Sequence, residues 1–267
     1  MNTYFNNKVI WITGASSGIG EALVKELTVK SNAKIILSSR REDQLYVTAQ
    51  NAGLDKDRYV VIPVDLENYT AMPAIVENAI AKFGKIDILI NNAGLSQRSL
   101  AMETSIEVDK RLMDVDFIGT VALTKAVVPY MITNKGGQIV VVSSLMGLFG
   151  APMRSGYAAA KHALHGFFEA LRAELYNDKV LVTIICPGFV KTNISINAVT
   201  GTGTAQNTMD DATANGIPVN VFAQKMLKAI AKQKYQAVIG GKETFGVYLK
   251  RFFPSLLVKI VRKAKVV

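Results

Sequence analysis

Residues 9–27 constrain this chain more than any other segment: Val9-Ile-Trp-Ile-Thr13, then Gly14-Ala-Ser-Ser-Gly-Ile-Gly20, then Glu21-Ala-Leu-Val-Lys-Glu-Leu27. A short apolar run rich in β-branched residues reads as a buried strand, and the apolar spacing after the glycines reads as one face of a helix. Strand, glycine turn and helix in this order open a βαβ unit of the kind that binds a dinucleotide. Gly14 permits the tight turn, Gly18 lets backbone N–H groups approach a pyrophosphate, and Gly20 lets helix and strand pack closely. The helix N-terminus turns the positive end of its dipole toward phosphate. Ser16, Ser17 and Ile19 complete the loop as candidate cofactor contacts.

The rest of the chain continues the alternation. Strand-like runs are expected at 34–39, 59–65, 86–91, 138–143, 180–186 and 236–240, and long helices over 106–133 and 157–177. With 267 residues, 49% of them hydrophobic, the chain can bury a parallel sheet under helices on both faces. The expected fold class is α/β: a single-domain, Rossmann-like, doubly wound parallel sheet of about seven strands spanning 1–267. Right-handed crossovers place its site at the C-terminal edge of the sheet.

Tyr157 and Lys161 stand one helical turn apart in Ser155-Gly-Tyr-Ala-Ala-Ala-Lys161, so they share a helix face. A free tyrosine titrates near about pH 10, too high for ready proton exchange at neutral pH. A fixed cation beside it favours the phenolate, and lowering that pKa by ~3 units corresponds to ~4 kcal/mol. The pair alone is weak. Ser144 upstream and the glycine loop make it a candidate general acid/base centre.

Taken together, the glycine spacing Gly14-x-x-x-Gly18-x-Gly20, Asn91-Asn-Ala-Gly94, Ser144 in Val141-Val-Ser-Ser-Leu-Met-Gly147, Tyr157-x-x-x-Lys161 and Pro187-Gly-Phe-Val-Lys-Thr192 resemble the short-chain dehydrogenase/reductase family over most of the chain. The resemblance implies that Tyr157 exchanges a proton with a substrate oxygen, Lys161 lowers the tyrosine pKa and binds the nicotinamide ribose, and Ser144 orients the carbonyl or alcohol. It assigns Asn91, Ala93 and Gly94 to the cofactor's side, and Pro187, Gly188, Val190 and Thr192 to the carboxamide segment. One position departs from the pattern. Leu112-Met-Asp-Val-Asp-Phe-Ile-Gly119 puts Asp116 where the family usually has a catalytic asparagine that anchors a water. An aspartate still accepts from water but, ionised, does not donate, and it adds negative charge near Tyr157. Either the proton relay is preserved, or the enzyme is slower with a raised pH optimum; the first is expected.

The second strand ends at Ser39, followed by Arg40 and Arg41. An acidic residue at that position would bind a ribose 2′-OH and repel a 2′-phosphate. Ser39 does neither, and Arg40 can pair with phosphate through its planar fork, so NADP(H) is expected over NAD(H). Asp65 matches the family's adenine-binding residue and could also cap the following helix.

Cys186 is the only cysteine, which excludes an intramolecular disulfide and suits a reducing, cytoplasmic setting. Its place in a strand suggests packing. His162 and His165 have no metal-ligand companions, so no metal is expected, and His165 reads as structural or surface-facing. The N-terminal residues lead straight into the first strand, so no secretory signal is expected, nor an apolar stretch long enough to cross a bilayer. The segment at about 190–218 reads as a flexible lid over cofactor and substrate. Leu95, Leu145, Met146, Leu148, Phe149, Met153 and Phe189 suggest an apolar pocket, with Arg98 and Arg154 available for an anionic substrate group.

The formal charge is +10, and between 242 and 267 seven Lys or Arg residues face one acid. This apolar and basic segment, at about 243–267 with Pro254 separating two helical pieces, either lies on an anionic membrane surface or packs on protein. The resemblance also implies a homodimer or homotetramer. No nucleic-acid-binding module is present, so no such partner is expected. The activity expected is interconversion of an apolar carbonyl and a secondary alcohol. A 3-oxoacyl-thioester reductase and a nucleotide-binding regulatory or scaffolding protein with lapsed catalysis are the competing readings.

Overall fold

A computed structural model of the chain describes residues 3–263. Strands β1 (Val9–Thr13), β2 (Lys34–Ser38), β3 (Tyr59–Val61), β4 (Ile88–Asn91), β5 (Gly137–Val142) and β6 (Val180–Pro187) enter one sheet in chain order. A short pair, β7 (Val190–Lys191) and β8 (Ile217–Pro218), stands apart, and β9 (Gln236–Ile239) closes the sheet. The order is β3-β2-β1-β4-β5-β6-β9, every neighbouring pair parallel. The order reverses beside β1, which opens a crevice at the strands' C-terminal ends.

Strand alternation builds two cores. From β1, Ile10 and Ile12 pack on one face with Leu23 and Leu27 of α1 (Gly18–Lys30), Leu45 of α2 (Glu42–Asn51) and Phe222 of α8 (Val219–Ala231). Val9 and Trp11 point the other way, onto Val76 of α3 (Met72–Phe83), with Phe168 of α6 (Ser155–Glu174) in the same core. This period-two division is what a sheet covered on both sides requires. Trp11, fully buried, donates its indole N–H to Ser38 Oγ at 2.8 Å. Burial of its ring therefore leaves no polar group unsatisfied.

The expected strand at 59–65 is shorter, Tyr59–Val61, at the edge of the sheet, where Pro63 turns its N–H-less nitrogen to the open side. Ile62 and Val64 still donate to Leu37 and Ser39. The expected helix over 106–133 is continuous but not uniform. It runs as α4 (Ile106–Met113), a wider π turn over Asp114–Ile118, and α5 (Gly119–Thr133). By length and composition this run is long and apolar enough to span a bilayer, contrary to the expectation from sequence. Leu123, Val127 and Met131 are nevertheless buried in the sheet-facing core, the position of a core helix. The chain continues through α7 (Asp211–Ala214) between β7 and β8, and ends in α9 (Phe245–Phe252) and α10 (Pro254–Val261). Pro254 begins the second piece, as expected.

Candidate active site

The C-terminal ends of the central strands open into a cleft of about 580 Å³. It is lined by Gly14, Ser16, Ser17, Gly18 and Ile19 from the first loop; Ser39, Arg40 and Asp65 from the next two; Ala93 and Gly94 after β4; and Ser144, Tyr157, Lys161, Pro187, Gly188, Val190 and Thr192. Gly14 sits at φ +65°, and an added Cβ would come within 2.9 Å of Ala93 Cα and Asn92 Nδ2. No side chain fits that cradle. Thr13 Oγ1 accepts the N–H groups of Asn92 and Ala93, each at 3.0 Å, tying the end of β4 to the glycine turn. A loop of this form at a helix N-terminus is suited to a dinucleotide pyrophosphate.

Gly20 and Asn91 stand behind the cleft wall, not on it. A Cβ on Gly20 would overlap the Gly14 carbonyl. Asn91 is buried and donates its amide to Thr124 Oγ1 at 3.0 Å, whereas Asn92 turns toward the loop and donates to the Thr13 carbonyl at 3.0 Å. Strand alternation explains the difference. Asp65 Oδ1 accepts the Glu67 N–H at 3.1 Å, so it closes a local turn and does not cap α3.

Beside the end of β2, Arg40 lies 3.8 Å from Glu67. Its neighbour Arg41 reaches back over the glycine loop, with Nη2 donating to Ser16 Oγ at 3.2 Å and lying 3.5 Å from Ser17 Oγ. Both arginines line the cleft. Position and charge both favoured Arg40 in the sequence, and only the fold of the 38–42 turn distinguishes it from Arg41.

Beyond the end of β5, Ser144 precedes a 3₁₀ turn, Leu145–Gly147, and its hydroxyl accepts the Met146 N–H at 3.1 Å. Tyr157 opens α6 with its N–H held by Gln97 Oε1 at 3.1 Å. One turn on, Lys161 Nζ lies 5.6 Å from the Tyr157 ring centre. That ammonium is buried, donates to the Val142 carbonyl at 3.3 Å, and sits 3.4 Å from Asp116 Oδ2.

Asp116 is fully buried within the π turn, a helix defect that recurs at functional sites. Its Oδ1 accepts the Leu95 N–H at 2.7 Å. A Cβ on Gly94 would fall 2.9 Å from Asp116 Oδ1 and 3.2 Å from Lys161 Nζ, so the missing side chain leaves room for the pair. Burial raises the Asp116 carboxyl, against the pull of Lys161 and the Leu95 N–H. Burial also opposes the Lys161 charge, but Asp116 and Tyr157 together outweigh it and hold the ammonium above its ordinary value. The two groups thus face each other at 3.4 Å as a buried acid–base pair.

Arg98 and Arg154, candidates for a substrate anion, are both buried against Asp210. Arg98 Nε donates to Asp210 Oδ2 at 2.8 Å, its Nη2 makes a second contact with the same oxygen, and Arg154 Nη2 lies 3.4 Å away. Burial, with Arg98 alongside, pushes Arg154 down to about 10. The clasp fastens the 190–218 segment to the 95–99 loop, helped by backbone bonds between Arg98 and Val199 and between Val199 and Ser96, each 2.8 Å. Nothing in the local sequence pattern pairs residues this far apart.

The apolar set also divides. Leu95 and Phe189 line the cleft, with Ile194 and Val199. Leu145, Met146 and Phe149 are buried instead in a cluster that takes in Leu257 of α10. Cys186 is buried 3.7 Å from His165 Nε2, and burial pushes its thiol up to about 12, as a packing residue requires. His165 is itself buried. No group of three or more His, Cys, Asp or Glu side chains could hold a metal among the described residues.

A parallel sheet with a glycine-rich first loop and a Ser, Tyr and Lys set facing one cleft defines a dinucleotide-binding oxidoreductase. A family model described as short chain dehydrogenase matches residues 8–203. The chain is 40% identical over 266 residues to a dehydrogenase/reductase SDR family protein 7-like of Anopheles gambiae, covering 97% of this chain and 84% of that protein. It is 38% identical over 262 residues to dehydrogenase/reductase SDR family member 7B of Xenopus tropicalis, covering 95% and 84%. A short-chain dehydrogenase/reductase from Burkholderia phymatum, solved in complex with NAD, shares the fold at a TM-score of 0.81, with 22% identity and 96% of each chain covered. The chain therefore belongs to the short-chain dehydrogenase/reductase family, a family of NAD(P)-binding oxidoreductases that act on small molecules.

Proposed function

We propose that this protein is an NADP(H)-dependent oxidoreductase that interconverts a carbonyl and a secondary alcohol. The observation that carries the reading is the convergence of Ser144, Tyr157 and Lys161 on one cleft beside a glycine loop no side chain could fill. When bound, the nicotinamide cofactor supplies or accepts the hydride. The chain's own residues hold and move the proton. Tyr157 gives it to the substrate oxygen in reduction and takes it in oxidation, with the Lys161 cation favouring the phenolate. The Ser144 hydroxyl donates to the same oxygen as its charge grows. Gly14, Ser16, Ser17, Gly18, Ile19, Asp65, Ala93, Gly94, Pro187, Gly188, Val190 and Thr192 are assigned to the cofactor.

Preference for the 2′-phosphate is supported by Ser39 in place of an acid and by two cationic forks, Arg40 and Arg41, at the adenosine end. The pocket's Leu95, Phe189, Ile194 and Val199 support an apolar substrate. The 190–218 segment is assigned the role of a lid that must part at the Asp210 clasp to admit it. A cytoplasmic homo-oligomer formed through the long helices completes the proposal.

The test is NADPH and NADH oxidation over a panel of apolar ketones, aldehydes and β-ketoacyl thioesters, with Tyr157→Phe alongside. Turnover with NADPH that the substitution abolishes is expected. Turnover that survives it overturns the tyrosine role. NADPH binding without turnover across the panel would favour the non-catalytic reading.

A further inference from the structure

We propose that the C-terminal helix pair docks on an anionic phospholipid surface. α9 and α10 turn one side inward, where Val247, Leu249, Leu257 and Val261 pack on Leu145, Met146 and Phe149. The other side is largely exposed among the described residues. Phe245 is 62% exposed, Tyr248 62%, Phe252 67% and Phe253 62%, with Leu256 and Ile260 each 47% exposed. Four large rings outside the core, in two consecutive turns of chain, form an apolar patch of the kind that marks an interaction site.

The charges around the patch decide what covers it. Lys250, Arg251, Lys259, Arg262 and Lys263 are exposed among the rings. The segment's one acid, Glu243, is occupied elsewhere: its Oε1 accepts the N–H groups of Phe189 and Gly241, both at 2.9 Å. The outward charge from 245 to 263 is thus entirely positive. A second copy of the chain, meeting this face about a two-fold axis, would set the same cations against each other. An anionic bilayer accepts both components. The rings enter the boundary between headgroups and acyl chains while the lysines and arginines meet the headgroup phosphates and carboxylates.

The experiment is flotation of the full chain with vesicles of phosphatidylcholine alone, or with about one-third phosphatidylserine, at low and high salt. Wild type is expected to float with the anionic vesicles, at least about tenfold more than with the neutral ones, and to lose most of that binding in high salt. Phe252→Ser/Phe253→Ser and, separately, Lys259→Glu/Arg262→Glu should each lower binding about tenfold. All four side chains are exposed, and unchanged thermal melting checks that the variants fold. Absence of flotation on anionic vesicles, equal flotation on neutral ones, or variants that bind like wild type would each overturn the proposal. So would sedimentation showing that wild type self-associates and that Phe252→Ser/Phe253→Ser abolishes the association.

Discussion

Replacing Asp116 with asparagine removes a buried carboxylate and keeps an oxygen to accept the Leu95 N–H. The carboxylate is 3.4 Å from Lys161 Nζ, which is 5.6 Å from the centre of the Tyr157 ring, so carboxylate and ring centre are at most about 9 Å apart. At that range a negative charge opposes a phenolate by ~2 kcal/mol with an effective dielectric constant near 20, and by about half that with twice the screening. Alcohol oxidation requires the phenolate, so its rate rises with pH, and an energy of that size moves the rising limb of the pH–rate profile to lower pH by about one unit in Asp116→Asn. The assay is kcat/KM for alcohol oxidation across the pH range, with activity at neutral pH similar to or above wild type. An unmoved limb would refute the electrostatic reasoning. A limb moved upward would mean that Lys161, its partner removed, had lost its proton. Collapse of activity at every pH in a folded variant would give the carboxylate a role of its own.

Other consequences are as direct. Arg41→Ser should raise KM for NADPH about tenfold while leaving KM for NADH nearly unchanged, since one charge-assisted contact is lost; equal effects on both cofactors would remove Arg41 from phosphate recognition. Gly14→Ala forces a side chain into a left-handed turn already in contact with Ala93, and should cost about 1–3 kcal/mol with loss of cofactor binding, read by thermal melting and NADPH fluorescence. Asp210→Asn leaves two buried guanidinium groups without their shared carboxylate; a loss of about 3–5 kcal/mol, or roughly 10 °C in Tm, is expected. Burial alone would raise the Asp210 carboxyl, but bonds from Arg98 and Gln206 outweigh it and hold it below its ordinary value. Its folded pKa being depressed, the clasp's contribution is present above about pH 4 and is lost as pH falls further. Wild-type melting at falling pH should show that loss, and Asp210→Asn should show less of it.

Local physics made much of this protein legible from its residues. A β-branched run followed by a glycine turn and a 3.6-residue period reads as a strand, a tight loop and a helix, so β1, the turn and α1 were readable. Four-residue spacing placed Tyr157 and Lys161 on one face, and Pro254 marked the break between α9 and α10 because its ring cannot continue a helix. Tertiary structure decided the rest. Asp116 comes to lie under Gly94 because a π turn rotates it inward; Arg41, not Arg40, reaches the glycine loop; Asn91 faces the core; and Arg98 meets Asp210 across 112 residues of chain. The outward rings of the C-terminal pair belong with these, since the core beneath decides which side of a short amphipathic helix remains uncovered. The reason is common to all of them. Periodicity acts over a few residues and is written in the sequence, whereas contacts at the sheet's C-terminal edge depend on where each loop lands once the strands have paired.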